Sequence, residues 1–142
     1  MRVCTLQDLS ALVALEATCF PRDPWSKTAL ASHLSDGTGY AILYEEEGEP
    51  LGYLLARVIP PEAELYRIAT LPACRGRGIG DKLLSYFQDN LTVASCDALF
   101  LEVRESNVPA RRLYEKHGMR MYARRKNYYQ NPKEDAVLYT KP

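Results

Sequence analysis

The residues best suited to chemistry lie in a glycine-rich loop that carries two arginines. Glycines 76, 78 and 80 alternate with other residues, and Arg75 and Arg77 stand among them. Glycine lets the backbone come close to a ligand and take up positive φ. The first amides of a following helix lack an intrahelical acceptor and bind phosphate oxygens, and arginine adds fork-shaped donors to the same anion. The loop therefore predicts a pyrophosphate site.

Three kinds of phosphate-binding loop compete for this pattern. A P-loop ends in Gly-Lys-Ser/Thr, and it is excluded because Asp81 follows Gly80. A dinucleotide fingerprint needs its third glycine one residue later, but Glu102 follows at roughly the distance of its acidic partner. That interpretation is weakened rather than excluded. The third pattern, Arg/Gln-x-x-Gly-x-Gly/Ala, is matched in full by residues 75–80. A tight strand-to-helix turn with incidental arginines is the structural alternative.

The loop follows a predicted strand that ends in Ile68-Ala69-Thr70-Leu71-Pro72, and a predicted helix comes after it. Strand, proline, loop and helix in this order resemble the acetyl-CoA-binding motif of the GCN5-related N-acetyltransferases (GNAT). The resemblance implies acetyl-CoA as co-substrate. It also implies a set of cofactor-binding residues, which are Ile68, Ala69, Thr70, Arg75, Gly76, Arg77, Gly78, Ile79, Gly80, Asp81 and Asn107.

Glu102 stands inside an apolar strand predicted over residues 97–103. A carboxylate is costly to bury unless it is paired or functional. Catalysis or proton handling is one interpretation of this residue. A salt bridge, for instance to Arg104 or Arg67, is the other.

Further segments resemble one group within this family, the ribosomal-protein-alanine N-acetyltransferases (the RimI type). They are the Leu-Glu-Val-Arg-x-Ser-Asn block at 101–107, residues 110–118, the Phe-Pro…Pro-Trp-Ser loop at 20–26, and the tail segments 126–129 and 134–136. The resemblance covers essentially the whole chain. It implies that Glu102 is the general base and Tyr114 the general acid. It also implies that Trp25 and Tyr128 flank a substrate groove, although packing in the core is an equal alternative for Trp25.

Two internal departures from that group stand out, and the first of them concerns the substrate. Arg22-Asp23 is inserted before Pro24, near the presumed groove, and Met119 replaces the usual phenylalanine. The resemblance implies an N-α-acetyltransferase that acts on the N-terminal alanine, or another small residue, of a small-subunit ribosomal protein. A lysine side chain or a small-molecule amine as acceptor stays open, and so does an acyl-CoA-binding module without turnover.

Composition limits the remaining classes. At 142 residues the chain fits one domain, residues 1–142. Lys+Arg and Asp+Glu both number 18, so no net charge recruits nucleic acid or an anionic membrane. The start of the sequence lacks the apolar segment of a signal peptide, and we expect a cytoplasmic protein. Four dispersed cysteines and two histidines favour neither a metal site nor a disulfide framework. Nothing in the sequence sets the oligomeric state.

Hydrophobic patterning predicts a mixed α/β fold with about four helices, and the family resemblance implies that the central sheet is splayed. Helix caps are predicted at Thr5 and Ser26, and Pro109 suits a first helical turn. In the central strand the alternation slips, because Leu65 is apolar in one phase and Tyr66 in the other. A β-bulge explains this slip, and so does a strand that is buried on both faces.

Overall fold

A computed structural model describes residues 1–141 of the chain. It contains seven strands and four α-helices, together with 3-10 turns at Leu6–Asp8 and Pro72–Cys74. The elements in chain order are β1 (Arg2–Val3), α1 (Leu9–Cys19), α2 (Lys27–Ser35), β2 (Gly39–Glu46), β3 (Glu49–Ile59), β4 (Glu62–Thr70), α3 (Ile79–Val93), β5 (Ala98–Arg104), α4 (Val108–Lys116), β6 (Arg120–Tyr129) and β7 (Glu134–Lys141).

All strands belong to one sheet, in the order β1-β2-β3-β4-β5-β7-β6. Only β4 and β5 run parallel to each other, and the other neighbouring strands are antiparallel. The helix α3 connects the parallel pair, as such a crossover requires. The predicted mixed α/β architecture is confirmed.

The helices begin at the caps that the sequence predicts. Thr5 and Asp8 form a capping box, in which the Asp8 carboxylate accepts a hydrogen bond from the Thr5 amide at 2.9 Å. The Ser26 hydroxyl accepts one from the Ala29 amide at 3.0 Å at the start of α2. Short polar side chains at these positions satisfy amides that have no intrahelical acceptor.

Helices cover the two faces of the sheet unequally. On one face α3 packs its apolar side against β2 to β5 and β7, with Leu83, Leu84 and Phe87 fully buried. On the other face, the buried cluster beneath α1 and α2 draws its sheet residues from β2, β3 and β4. On that second face β5 and β6 therefore have no helix above them among the described residues, and β6 is mostly exposed. We call this the open face.

The predicted bulge in β4 is confirmed. Leu55 pairs with Arg67 and Ala56 pairs with Leu65, so Tyr66 is the extra residue. Side chains alternate between faces along a strand, and one extra residue reverses the phase. Leu65 and Ile68 accordingly both pack on the α3 side although they are three residues apart, and Tyr66 packs on the α1 and α2 side.

The sheet splays immediately after the bulge. Pairing between β4 and β5 runs from Glu62↔Ala98 to Leu65↔Leu101 and stops there within the described chain. Beyond this point the rest of β4 keeps its partner β3, and the rest of β5 keeps its partner β7. The two strands therefore leave a gap with free backbone groups between residues 66–70 and residues 102–104.

The strand β5 differs from the predicted continuous apolar run. Its residues alternate, with Leu99, Leu101 and Val103 buried on the α3 side and Phe100 and Glu102 on the open face. The Glu102 side chain is 25% exposed. Glu102 is therefore not in the core, because the apolar residues around it belong to two different faces.

No helix among residues 1–141 combines the length and the apolar character that a membrane span needs.

Candidate active site

A cleft of about 620 Å³ lies where the end of β4, the glycine loop and the start of α4 meet. All the predicted cofactor-binding residues except Arg77 line it. Tertiary structure thus brings the strand end, the loop and Asn107 to one place, although Asn107 is far from the loop in sequence. Their contacts with a cofactor stay a prediction.

The loop presents backbone donors to this cleft. Gly76 and Gly78 have φ of +82° and +78°, and a Cβ atom at either would point into open space. Other residues adopt such φ values at a cost, so glycine is needed at both positions. The helix α3 starts at Ile79, so the amides of Ile79, Gly80 and Asp81 have no intrahelical acceptor. This arrangement suits phosphate oxygens.

Arg77 departs from its prediction. Its guanidinium lies 2.6 Å from the Glu46 carboxylate at the end of β2, and it does not line the cleft. The hydrogen bond from Arg77 is the largest cause of the lowered pKa of Glu46. The sequence placed Arg77 beside the phosphate because of its position in the loop. The fold instead brings the β2–β3 hairpin within reach of its side chain.

Two basic side chains of α4 also line this cleft, and they were not predicted from the sequence. Arg112 and Lys116 line it together with Arg75. Lys116 Nζ and His117 Nε2 each lie 3.0 Å from Asp81 Oδ1, and these partners lower the pKa of Asp81. The i, i+4 spacing of Arg112 and Lys116 puts both on one helix face, and that spacing was the available signal.

Glu102 lies in a second cleft, of about 430 Å³, on the open face. Arg125 Nη1 of β6 lies 3.4 Å from Glu102 Oε1. The salt-bridge partner is therefore Arg125, and neither Arg104 nor Arg67 fills that role. Glu64 lines the same cleft, and its pKa is raised first by burial and then by the charge of Glu102.

The charge of Glu102 acts on two tyrosines of β6, Tyr128 and Tyr129. The nearby Glu102 carboxylate raises the pKa of Tyr128, whose ring is 45% exposed. Burial, followed by the charge of Glu102, raises the pKa of Tyr129 to about 12. Burial, followed by Tyr129, also raises the pKa of Tyr114.

Tyr114 is buried in the core beneath α4, with its ring centroid 6.1 Å from that of Tyr139. It lines neither the cofactor cleft nor the Glu102 cleft. The helix α4 exposes Arg112 and Lys116 on its cleft side and turns Tyr114 toward the sheet. Its role as the acid stays a prediction.

Trp25 is partly buried under α2. Its ring packs edge-on against His33 at 5.4 Å and lies 5.7 Å from the ring of Tyr66. The Trp25 amide donates to Glu16 Oε2 at 2.7 Å. The ring thus contributes to the smaller hydrophobic cluster, and its role in a substrate groove remains a prediction.

Glu16 is a fully buried carboxylate that the sequence reading did not single out. The hydroxyl of Tyr53 donates to its Oε1 at 2.5 Å, and Arg67 Nη1 lies 3.4 Å from its Oε2. Burial, followed by the hydrogen bond to Glu16, raises the pKa of Tyr53. An acid among Leu12 and Leu15 on the buried face of α1 was the available signal.

A third cleft, of about 290 Å³, separates the α1–α2 connection from the β6–β7 connection. Arg22 and Asp23 form one wall, and residues 130–134 form part of the other. The insertion predicted to affect the substrate therefore lines a cleft that is distinct from the cofactor site. Among residues 1–141, no group of three or more His, Cys, Asp or Glu side chains is arranged to hold a metal ion.

Known proteins resemble this chain in both sequence and fold. The model of the Acetyltransferase (GNAT) family matches residues 9–119. The ribosomal protein bS18-alanine N-acetyltransferase of Haemophilus influenzae is 39% identical over 119 residues, 81% of this chain and 80% of that protein. Its counterpart in Haemophilus ducreyi is 33% identical over 136 residues, 93% and 92% of the two chains.

The crystal structure of the ribosomal-protein-S18-alanine N-acetyltransferase from Escherichia coli has the same fold. It matches with a TM-score of 0.90 at 30% identity, and the match covers 99% of this chain and 92% of that one. The family match extends from α1 through the glycine loop to the end of α4. The chain therefore belongs to the GCN5-related N-acetyltransferase family and is an acyltransferase.

Proposed function

We propose that this protein uses acetyl-CoA to acetylate the N-terminal α-amine of a protein whose first residue is alanine or similarly small. A ribosomal protein is the proposed acceptor, since the relatives from both Haemophilus species are named for bS18. One observation carries the proposal. The sheet splays just before Glu102, with the phosphate-type cleft at one side of the gap and an acidic cleft at the other.

The cofactor cleft accounts for the acetyl donor. Free amides of the glycine loop and the α3 N-terminus suit the pyrophosphate of CoA. The unpaired stretch of β4 offers backbone groups of Ile68, Ala69 and Thr70 to the pantetheine arm and the thioester. Asn107 lies at the far wall, where its side chain caps α4 by accepting from the Ala110 amide at 3.2 Å.

In this proposal, proton transfer involves Glu102 on the open face and Tyr114 beneath α4. In the proposed reaction the acceptor nitrogen bonds to the thioester carbonyl carbon, and the C–S bond breaks. Glu102 takes the amine proton, through a water, and Tyr114 returns a proton to the CoA sulfur. The phenol of Tyr114 is protonated at neutral pH, as a proton donor must be, and burial raises its pKa further. Free backbone amides of β4 stabilise the oxyanion.

An α-amine suits this site better than a lysine. The pKa of an α-amino group is ~7.7–8.0, whereas that of lysine is ~10.4, so a neutral α-amine is far more abundant at pH 7. A single carboxylate base is enough to deprotonate an α-amine, but it is poorly matched to the more basic lysine side chain. Lysine or small-amine acetylation is the alternative that the experiment below separates.

The test is a panel of peptides that begin with Ala, Ser, Gly or Leu, together with an acetyl-Ala peptide that carries an internal lysine. We expect efficient acetylation of the free Ala and Ser peptides and rejection of Leu, because exclusion of a bulky first side chain is steric. The preference for Ala over Gly depends on one methyl group, which contributes about 1 kcal/mol to discrimination. Acetylation of the blocked peptide at its lysine, with free Ala no better, would contradict the proposal.

The ribosomal acceptor needs a separate measurement. Mass spectrometry of ribosomal proteins from cells that lack this chain should show one protein with an unacetylated N-terminal alanine. Restoring the wild-type chain should restore its acetylation, whereas restoring Glu102→Gln should not. An unchanged set of N-termini would remove the ribosomal part of the proposal.

A further inference from the structure

Two arginines occupy matching places on the strands that separate at the splay. Arg67 stands on β4 just beyond its last pairing with β5, and Arg104 stands on β5 beyond the same point. Each reaches toward one connection that lines the third cleft. We call these connections the first loop (residues 20–26) and the second loop (residues 130–133).

Arg67 contacts the first loop directly and through Glu16. Its Nη2 donates to the Asp23 carbonyl at 2.9 Å, and its guanidinium stacks over the Phe20 ring at 4.0 Å from the centroid. Its Nη1 lies 3.4 Å from the buried Glu16 carboxylate, which in turn accepts from the Trp25 amide. One ion pair thus contacts the beginning, the middle and the end of the loop.

Arg104 holds the second loop with the same three kinds of contact. It donates from Nη2 to the Gln130 carbonyl at 2.7 Å and from Nη1 to the Pro132 carbonyl at 2.8 Å. It stacks over the Tyr129 ring at 4.6 Å and lies 3.3 Å from the Glu134 carboxylate. Backbone carbonyls, an aromatic ring and a glutamate therefore anchor both arginines.

The bulge in β4 is what gives Arg67 this role. If residues 65–67 alternated without a bulge, Arg67 would lie on the same face as Leu65, the α3 side of the sheet; the bulge places it opposite Leu55 on the other face instead. Arg67 Nη1 is buried and forms no hydrogen bond within residues 1–141, although it lies 3.4 Å from Glu16 Oε2 in the ion pair. Burial of this charge therefore depends on Glu16.

Both loops line the same cleft of about 290 Å³, with Arg22 and Asp23 on one wall and Gln130 to Pro132 on the other. We propose that Arg67 and Arg104 are paired positioning residues, which fix the two loops and so set the width of the entrance for the acceptor polypeptide. This inference rests on the proposed function, because it assumes a polypeptide acceptor. Neither arginine touches the reacting atoms in this account.

The kinetic test uses Arg67→Met and Arg104→Met, which keep much of the side-chain length and remove the donors. Each should raise the KM for the alanine peptide at least tenfold. The value of kcat should stay within threefold, and the Kd for acetyl-CoA within twofold. Arg67→Lys and Arg104→Lys should recover part of the loss. The double variant should lose less than the product of the single losses, because both loops contact one ligand.

Limited trypsin digestion measures how accessible the two loops are to cleavage when no substrate is present. Trypsin cleaves after Arg22 in the first loop and after Lys133 in the second. Arg67→Met should speed cleavage after Arg22 and leave the rate after Lys133 unchanged, and Arg104→Met should do the reverse. Arg2→Met is the matched control. It removes ion pairs to Asp8 and Glu45 that are remote from both loops, so it should change neither rate.

Two outcomes would overturn the inference. One is faster cleavage of both loops with the peptide KM within twofold of wild type, which separates the loops from acceptor binding. The other is a parallel change in kcat, KM and acetyl-CoA affinity that follows the loss of thermal stability. Failure of the proposed function looks different. The wild type would then prefer a non-polypeptide or lysine acceptor in the peptide panel. Each arginine variant would still speed trypsin cleavage in its own loop only, so the role of the two arginines would be tested separately.

Discussion

The proposed cofactor cleft and the proposed acceptor side are built from different parts of the chain. The cofactor cleft depends on main-chain groups, namely the positive-φ glycines, the first amides of α3 and the unpaired end of β4. The acceptor side depends on charged side chains held by partners from distant elements, such as Glu102 with Arg125 and Arg67 with Glu16. Main-chain donors suit a ligand that is always the same, whereas side chains can be exchanged to admit different acceptors.

The largest expected effect tests the acceptor side. Glu102→Gln should lower turnover by about 10²–10⁴-fold, as expected for a lost general base. Acetyl-CoA affinity should be nearly unchanged, because Glu102 lies in the other cleft. Steady-state kinetics and calorimetry check the two halves of this prediction. Turnover within threefold of wild type at pH 7 would make Glu102 structural.

A second prediction compares the glutamates that anchor the two loops. Glu16 is fully buried and accepts from Tyr53 and Trp25, whereas the Glu134 side chain is 17% exposed and accepts from the Ser106 amide at 2.6 Å. Glu16→Ala leaves buried partners unpaired and should lower the free energy of unfolding by about 3–5 kcal/mol. Glu134→Ala should lower it by about 1–3 kcal/mol. Urea denaturation measures both, and equal losses would contradict the difference in burial.

The third prediction tests the main-chain character of the cofactor cleft. Gly78→Val should weaken acetyl-CoA binding at least tenfold, or about 1.4 kcal/mol, because the side chain points into the space that phosphate needs. Gly48→Val is the matched control. Gly48 has nearly the same φ, +79°, and equally open surroundings, but it lies in the β2–β3 turn. Calorimetry on the folded variants should show the loss in Gly78→Val only, and unchanged affinity there would remove the loop assignment.

The smallest effect concerns the tyrosines around Glu102. The Glu102 charge disfavours the phenolates of Tyr128 and Tyr129, so Glu102→Gln should lower both pKa values. The pKa of Tyr129 is raised to about 12, and burial is the largest cause. Removing the Glu102 charge should therefore reverse only the smaller part of this rise. NMR titration of ring-labelled tyrosine measures this. A Tyr129 pKa that does not fall would place Glu102 too far away to act with it.

Local sequence determined the parts of this protein that depend on neighbouring residues. The caps at Thr5 and Ser26, the glycine loop before α3 and the phase slip at Tyr66 each follow from contacts or alternation within a few positions. The family motif likewise lies in short contiguous segments. For these features the backbone conformation is set by the residue types themselves, so the sequence predicted them correctly.

Tertiary structure alone decided which charges meet. Arg77 pairs with Glu46, Glu102 pairs with Arg125, and Arg67 reaches Glu16, although each pair is separated by many residues. The exposure of Glu102 also depended on which face of β5 the helices cover. Long charged side chains have several acceptable partners in any sequence. The sheet order and the splay select one of them, because they fix which strands and loops come within a few ångströms.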